Sequence, residues 1–128
     1  MNNRYIFRGK GNPKYNDGEW YYGHLIYDGS DYQIVDPEYG SCKRTVIPET
    51  VGQCTGLKDK NGKLIFEGDI IITDKFNTPE IRYTIVYDKE IATFIGEYKK
   101  GCVKHFTTFE GDSNCFEVIG NIHDNPEL

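Results

Sequence analysis

The chain has 128 residues, enough for one hydrophobic core and too few for two independent ones, so a single compact domain is expected over residues 1–128. Ten tyrosines, seven phenylalanines, one tryptophan and fourteen glycines favour strands joined by tight turns over helices. Twenty acidic against fifteen basic side chains give a net charge of -5, which repels a phosphate backbone and removes the usual electrostatic footprint of a duplex-DNA binder.

Residues 4–8 read as a short strand ended by Gly9 and Gly11, and Asn12-Pro13 opens a loop that reaches Asp17-Gly18. The loop is the first candidate for mobility. The aromatic run 19–27 is strand-like, and Asp28-Gly29-Ser30 turns it into a partner strand at 32–35, giving an antiparallel hairpin. Residues 44–47 read as a further strand, with Pro48 placed to start one helical turn over 48–50.

Asn61-Gly62 supplies the positive φ angles of a tight hairpin. Glu67-Gly68-Asp69 bends the chain into the apolar run Ile70-Ile71-Ile72. Period-two alternation marks strands over 81–87, 91–98 and 102–109, with Asp88-Lys89-Glu90 as the turn between the first two, and a last strand covers 115–122. No segment keeps a helical period. The fold class expected is all-β: a small barrel-like fold or two-sheet pseudobarrel of short antiparallel strands with little helix.

A weak internal echo repeats Asn16, Gly23 and Ile26 as Asn61, Gly68 and Ile71, so that residues 16–28 and 61–73 form a candidate duplication. Cys42, Cys54, Cys102 and Cys115 lack the two-to-four-residue spacing of zinc ligands. They read as reduced thiols, although Cys102 and Cys115 are placed to meet across a hairpin. No stretch is long and apolar enough for a membrane span or a signal core, so a cytoplasmic protein with no membrane partner is expected.

The middle of the chain carries a family resemblance. Thr50-Val51-Gly52-Gln53, Thr55-Gly56-Leu57-Lys58-Asp59-Lys60-Asn61-Gly62 and Glu67-Gly68-Asp69-Ile70 resemble the YopX family, small proteins encoded by phages and prophages. The closing Phe116-Glu117-Val118-Ile119-Gly120-Asn121-Ile122 and the tail Asn125-Pro126-Glu127-Leu128 are similar to the family's last strand and tail, and Tyr22-Gly23-His24-Leu25 agrees more loosely. Cys54 stands where an aromatic is common, and His123 where tyrosine is common. The resemblance implies an all-β, barrel-like fold and a phage origin in a bacterial host. It carries no catalytic residues, and the signature residues Gly52, Gly56, Asp59, Asn61, Gly62, Glu67, Gly68 and Asp69 read as turn-makers.

Asp59, Glu67 and Asp69 form the densest carboxylate group, a residue type suited to general acid–base work or to a divalent cation. The calcium-loop pattern fails, because Leu64 takes the place of its glycine and Ile70 that of its closing glutamate. His24, His105 and His123 have no second histidine at ligand spacing and no nucleophile motif beside them. No catalytic, metal or cofactor site is therefore expected.

The candidate recognition residues are Trp20, Tyr21 and Tyr22, since aromatics give large, fairly rigid contact areas for a protein or for base stacking. Arg4, Arg8, Lys10 and Lys14 form one locally basic region, and Lys99-Lys100 a basic turn. The leading expectation is a non-enzymatic accessory protein that binds a phage or host protein, with a homo-oligomer left open. A single-stranded nucleic-acid binder is the alternative. A small metal-assisted hydrolase is the third reading.

Overall fold

The computed structural model describes residues 3–38, 40, 42–73, 82–100, 103–108 and 116–128. Eleven strands carry these residues: β1 (Phe7–Lys10), β2 (Trp20–Tyr27), β3 (Tyr32–Val35), β4 (Lys43–Thr45), β5 (Gly52–Lys58), β6 (Leu64–Phe66), β7 (Asp69–Thr73), β8 (Arg82–Asp88), β9 (Thr93–Lys100), β10 (Val103–Thr108) and β11 (Phe116–Asn121). The only helical pieces among the described residues are 3-10 turns at Asn3–Tyr5 and Pro48–Thr50. The strands form two antiparallel sheets, neither of them a closed barrel. Contacts divide the chain into two compact units, Met1–Cys54 and Thr55–Leu128.

In the first unit, β1 pairs with β2, β2 with β3 and β3 with β4, all antiparallel. The hairpin of β2 and β3 follows the expected boundaries closely, and Pro48 does open a short helical turn. The opening strand differs from expectation. Residues 3–5 coil into a 3-10 turn, and β1 runs on through Gly9 to Lys10. Gly9 is a strand interior residue because a Cβ there would lie 2.8 Å from Val46 Cβ, so its lack of a side chain admits a close approach instead of ending the strand. Ile34 and Val46 are buried in this unit, together with Arg8 and Thr50.

The first unit draws β1 and the end of β4 together at one point. Gly11 bridges Val46, Ile47 N–H donates to Lys10 O at 2.8 Å, and Asn12 N–H donates to Thr45 O at 3.0 Å. Beyond Asn12 the chain leaves this line, because Tyr15 and Asn16 N–H groups both return to Asn12 O, at 2.9 and 3.0 Å. The loop expected to be mobile is thus tied down by its own backbone and by Asn16 Nδ2, which donates to Thr45 O at 2.8 Å.

In the second unit the sheet runs β10-β9-β8-β7-β11. Ile65, Ile71 and Ile85 form its core, with Leu57, Tyr83, Phe94, Phe116 and Val118 packed against them. Ile85 is buried at the centre of β8, while Tyr87, two residues on and on the same face, is exposed towards the strand's end. The tight hairpin expected at Asn61-Gly62 joins β5 and β6, but only one of the two residues has the positive φ expected of them. Asp59 and Lys63 close a three-residue loop through Asp59 N–H to Lys63 O at 2.8 Å, and Gly62 alone takes a positive φ, at 82°. Asn61 therefore follows the ordinary type I geometry that precedes such a glycine. Gly23 lies inside β2, whereas Gly68 occupies the turn between β6 and β7. Cys102, Cys115 and the strand ends at residues 101–102 and 109–115 lie outside the described residues.

Candidate functional site: the cleft beside β4

The outer edge of β4 borders a cleft of about 300 Å³ in the first unit. Lys43, Arg44 and Thr45 form one side of it, and Tyr15, Asn16, Asp17 and Tyr21 the other. Asn12 starts the loop that builds the second side, with its Oδ1 accepting the Lys14 N–H at 3.0 Å. Asn16 Oδ1 accepts the Gly18 N–H at 3.0 Å, and Asp17 Oδ1 accepts the Glu19 N–H at 3.1 Å. These side-chain-to-backbone turns explain why Asn and Asp recur here.

Tyr21 projects from β2 to the cleft, where its hydroxyl donates to Asp17 Oδ1. The Arg44 guanidinium lies 5.6 Å from the Tyr21 ring centre, within cation–π range. The Tyr21 hydrogen bond, helped by the Glu19 N–H and the Arg44 charge, holds the Asp17 carboxyl below the usual carboxylate range. The same bond pushes the Tyr21 phenol up. Lys43, Arg44 and Tyr15 are exposed and Tyr21 is half-buried; Arg44 is engaged with the Tyr21 ring and hydroxyl, and the Lys43 charge reaches Asp28.

A second cleft, of about 330 Å³, shares Tyr21 and Arg44 and extends past Ile34, Asp36 and Cys42. Trp20 and Tyr22 also border it. The sequence-expected trio therefore divides. Trp20 is half-buried, with the Arg8 guanidinium 4.8 Å from its ring centre; Tyr21 belongs to the cleft; Tyr22 is 49% exposed. The expected basic region at the start of the chain divides as well, because Arg8 is buried while Arg4 and Lys14 are exposed. Lys99 and Lys100 end β9 and pair with Lys104 and Val103.

Sequence reasoning missed Tyr15, Lys43, Arg44 and Thr45. Lys43-Arg44 at the head of a three-residue strand is the signal that could have found them, since charge on a short strand marks a sheet edge.

The carboxylates lie in the second unit and turn to the backbone. Asp59 is buried; its Oδ1 accepts the N–H groups of Asn61 and Lys63, both at 2.9 Å, and its Oδ2 accepts the Val118 N–H at 3.0 Å. Burial pushes the Asp59 carboxyl up, but these three hydrogen bonds and the Lys63 charge outweigh it, and the pKa falls below the ordinary value. Asp69 is also buried, and its Oδ2 accepts the Phe66 N–H at 2.7 Å across the Glu67-Gly68 turn. Gly68 passes the chain between strands, donating to Ile85 O and accepting from Ile122 N–H. Gly52 pairs with Arg8 where β5 meets β1, and Gly56 holds a positive φ of 86° within β5.

Among the described residues, no group of three His, Cys, Asp or Glu side chains is placed to hold a metal ion. His24 is exposed on β2, and His123 lies in the turn after β11, where its N–H donates to Asn121 Oδ1 at 3.0 Å. No helix among the described residues is long and apolar enough to cross a membrane.

These features define an all-β protein of two antiparallel sheets whose signature aspartates hold turns together. The chain belongs to the YopX protein family, which it matches over residues 7–128. It is similar to protein EF1440 from Enterococcus faecalis, known from a crystal structure, with 26% sequence identity, a TM-score of 0.58 and 95% of each chain covered. No curated protein matches the chain.

Proposed function

We propose that the chain is a phage- or prophage-encoded accessory protein that binds a phage or host protein in the bacterial cytoplasm and catalyses no reaction. The observation that carries this reading is the number of exposed tyrosines in the first unit. Tyr5, Tyr15, Tyr22, Tyr27 and Tyr32 are 60%, 58%, 49%, 58% and 38% exposed. Tyrosine and arginine dominate the energetic centres of protein interfaces, because each buries a large area while keeping a polar group for orientation. The Tyr27 and Tyr32 rings lie 4.8 Å apart on paired strands, which fixes that pair in advance.

The test is capture of partners from an induced host lysate by tagged chain, with and without nuclease, alongside Tyr15→Ala and Tyr22→Ala. The expected result is a protein recovered in stoichiometric amount regardless of nuclease and depleted by at least one substitution. Recovery of nothing above background by the folded chain overturns the reading.

One observation favours a second reading, a single-stranded nucleic-acid binder: Lys43 and Arg44 stand beside Tyr15 and Tyr21, the pairing of cations and stacking rings that such binders use. Partners lost on nuclease treatment would support it. The hydrolase reading gains no such support, since Asp59 and Asp69 are engaged by backbone N–H groups.

A further inference from the structure

We propose that the outer edge of β4 takes up an extended acidic segment of the partner protein as an added strand, with carboxylates set against Lys43 and Arg44. The proposal rests on the protein-binding reading above and deepens it by naming the chemistry of the segment bound.

The backbone argument comes first. Val46 N–H donates to Tyr32 O at 3.0 Å, and Asp36 N–H donates to Cys42 O at 3.1 Å. In an antiparallel ladder hydrogen-bonded pairs alternate with non-bonded ones. Arg44, midway between Cys42 and Val46, therefore turns its backbone groups to Ile34, while Lys43 and Thr45, opposite Val35 and Gln33, turn theirs outward. Thr45 O confirms this phase, because it accepts from Asn12 N–H and Asn16 Nδ2 on the outer side.

β4 ends its sheet, and the segment that covers its far end stops short. The strand-like pairing of residues 10–12 with 45–47 ceases at Asn12. Pro13 follows, with no N–H to donate, and the turn at Asn12 carries the chain to the opposite wall of the cleft. Among the described residues nothing pairs with the Lys43 N–H and C=O or with the Thr45 N–H, a short row of outward strand groups of the kind that recruits another chain.

Charge then selects the occupant. Lys43 and Arg44 are adjacent on a strand, so their side chains leave opposite faces. An added strand whose neighbouring residues are both Asp or Glu would set one carboxylate against each. Two carboxylates already feel these cations: Asp17, near Arg44, is held by the Tyr21 hydroxyl and the Glu19 N–H, and Asp28, within reach of the Lys43 charge, is held by the Ser30 and Asp31 N–H groups.

The experiment pans the full-length chain against a displayed library of random peptides of about twelve residues, then titrates the selected peptides with the chain and its variants. Selected peptides should carry adjacent acidic residues, and binding should weaken by about tenfold or more in Lys43→Glu and in Arg44→Glu. Thr45→Pro, which removes only an outward N–H, should weaken it comparably, and the Thr45 amide should gain hydrogen-exchange protection with peptide bound. Asp17→Asn should tighten it severalfold. Circular dichroism checks the fold of each variant, and the exchange measurement on the unmodified chain stands without any substitution.

Uncharged or basic selected peptides, an unprotected Thr45 amide, no enrichment at all, or Lys43 and Arg44 effects seen only with an oligothymidine probe would each overturn the proposal. So would a concentration-dependent dimer that occupies this edge with a second copy. A partner still captured from lysate by the Lys43→Glu chain would sink the edge proposal while leaving the protein-binding reading standing; an empty capture by the unmodified chain sinks that reading itself.

Discussion

Asp59 and Val118 stand 59 positions apart and meet through one hydrogen bond, from the Val118 N–H to Asp59 Oδ2 at 3.0 Å. The carboxylate's other oxygen closes the hairpin loop at Asn61 and Lys63. One buried side chain thus fastens the loop between β5 and β6 to the last strand. A salt bridge from Lys60 to Glu117, at 3.6 Å, runs beside it at the surface and adds little. Asp59→Ala leaves three backbone donors without that acceptor, so unfolding free energy should fall by about 3 kcal/mol or more. Urea unfolding measures it. Asp59→Asn, which keeps one acceptor oxygen, should lose less, and a loss under 1 kcal/mol for the alanine variant would mean that water replaces the carboxylate.

Acid should reverse the same contribution. The folded Asp59 carboxyl titrates below its ordinary value of 3.8, so between the two pKa values the unfolded chain binds the proton that the folded chain refuses. The stabilisation is complete above the unfolded value and disappears as pH falls through the folded one. Unfolding curves from pH 7 to pH 2.5 should show the gap between the unmodified chain and Asp59→Asn narrowing below about pH 4. A gap that stayed constant to the lowest pH would assign the stabilisation to packing instead of charge.

Gly9 and Val46 give a steric prediction. A Cβ at Gly9 would meet Val46 Cβ, Cγ1 and Cγ2 at 2.8 to 2.9 Å, too close for either strand to absorb without shifting. Gly9→Ala should cost about 1–3 kcal/mol. Val46→Ala removes two of the three contacts, so the double substitution should be less damaging than the sum of the singles. Strict additivity in a double-mutant cycle would show that the two positions do not share this contact.

The contrast between Gly9 and Gly62 shows what the sequence could and could not convey. Gly62 follows Asn61 between two apolar runs, and turn chemistry is local, so a hairpin there was legible; the loop's length was not, because it depends on Asp59 closing against Lys63. Gly9 looked like a strand end because its reason lies in Val46, 37 positions away, and such a contact leaves no local trace. The strands of the second unit were readable as apolar runs between turn signals, although burial does not alternate along them: Ile70 and Ile71 are buried in succession, and β11 is half-buried throughout. The cleft was not, for it arises where residues 10–12 pair with 45–47 and then turn away. Tyr21 was legible as a recognition candidate by its type, and Lys43 and Arg44 only by their place on an edge.

Cysteine reactivity should follow burial. Cys42 and Cys54 are in no disulfide, the first half-buried beside the second cleft and the second fully buried in β5. A buried thiol in apolar surroundings is inert until the chain opens. Native chain treated with a maleimide and mapped by peptide mass spectrometry should label Cys42 well before Cys54. Denaturation in urea should erase the difference. Equal native rates at the two positions would place the opening of β5 on the timescale of labelling.

Arg8 and Trp20 supply the last prediction. Arg8 is only 4% exposed, and its guanidinium lies 4.8 Å from the centre of the Trp20 ring, so the planar cation and the indole share one partly dry environment. Such a contact is worth about 2 kcal/mol when desolvated, and a lysine cannot reproduce the flat stacking surface. Arg8→Lys should therefore be clearly destabilising despite keeping the charge, while Arg8→Met keeps volume without it. Because Trp20 is the chain's single tryptophan, its fluorescence reports this site alone. Both variants should shift the native emission, and the shift should vanish in urea, where the two residues no longer touch. An Arg8→Lys chain with unchanged emission and unchanged urea midpoint would show that charge, and not the stacked geometry, is what β1 needs at this position.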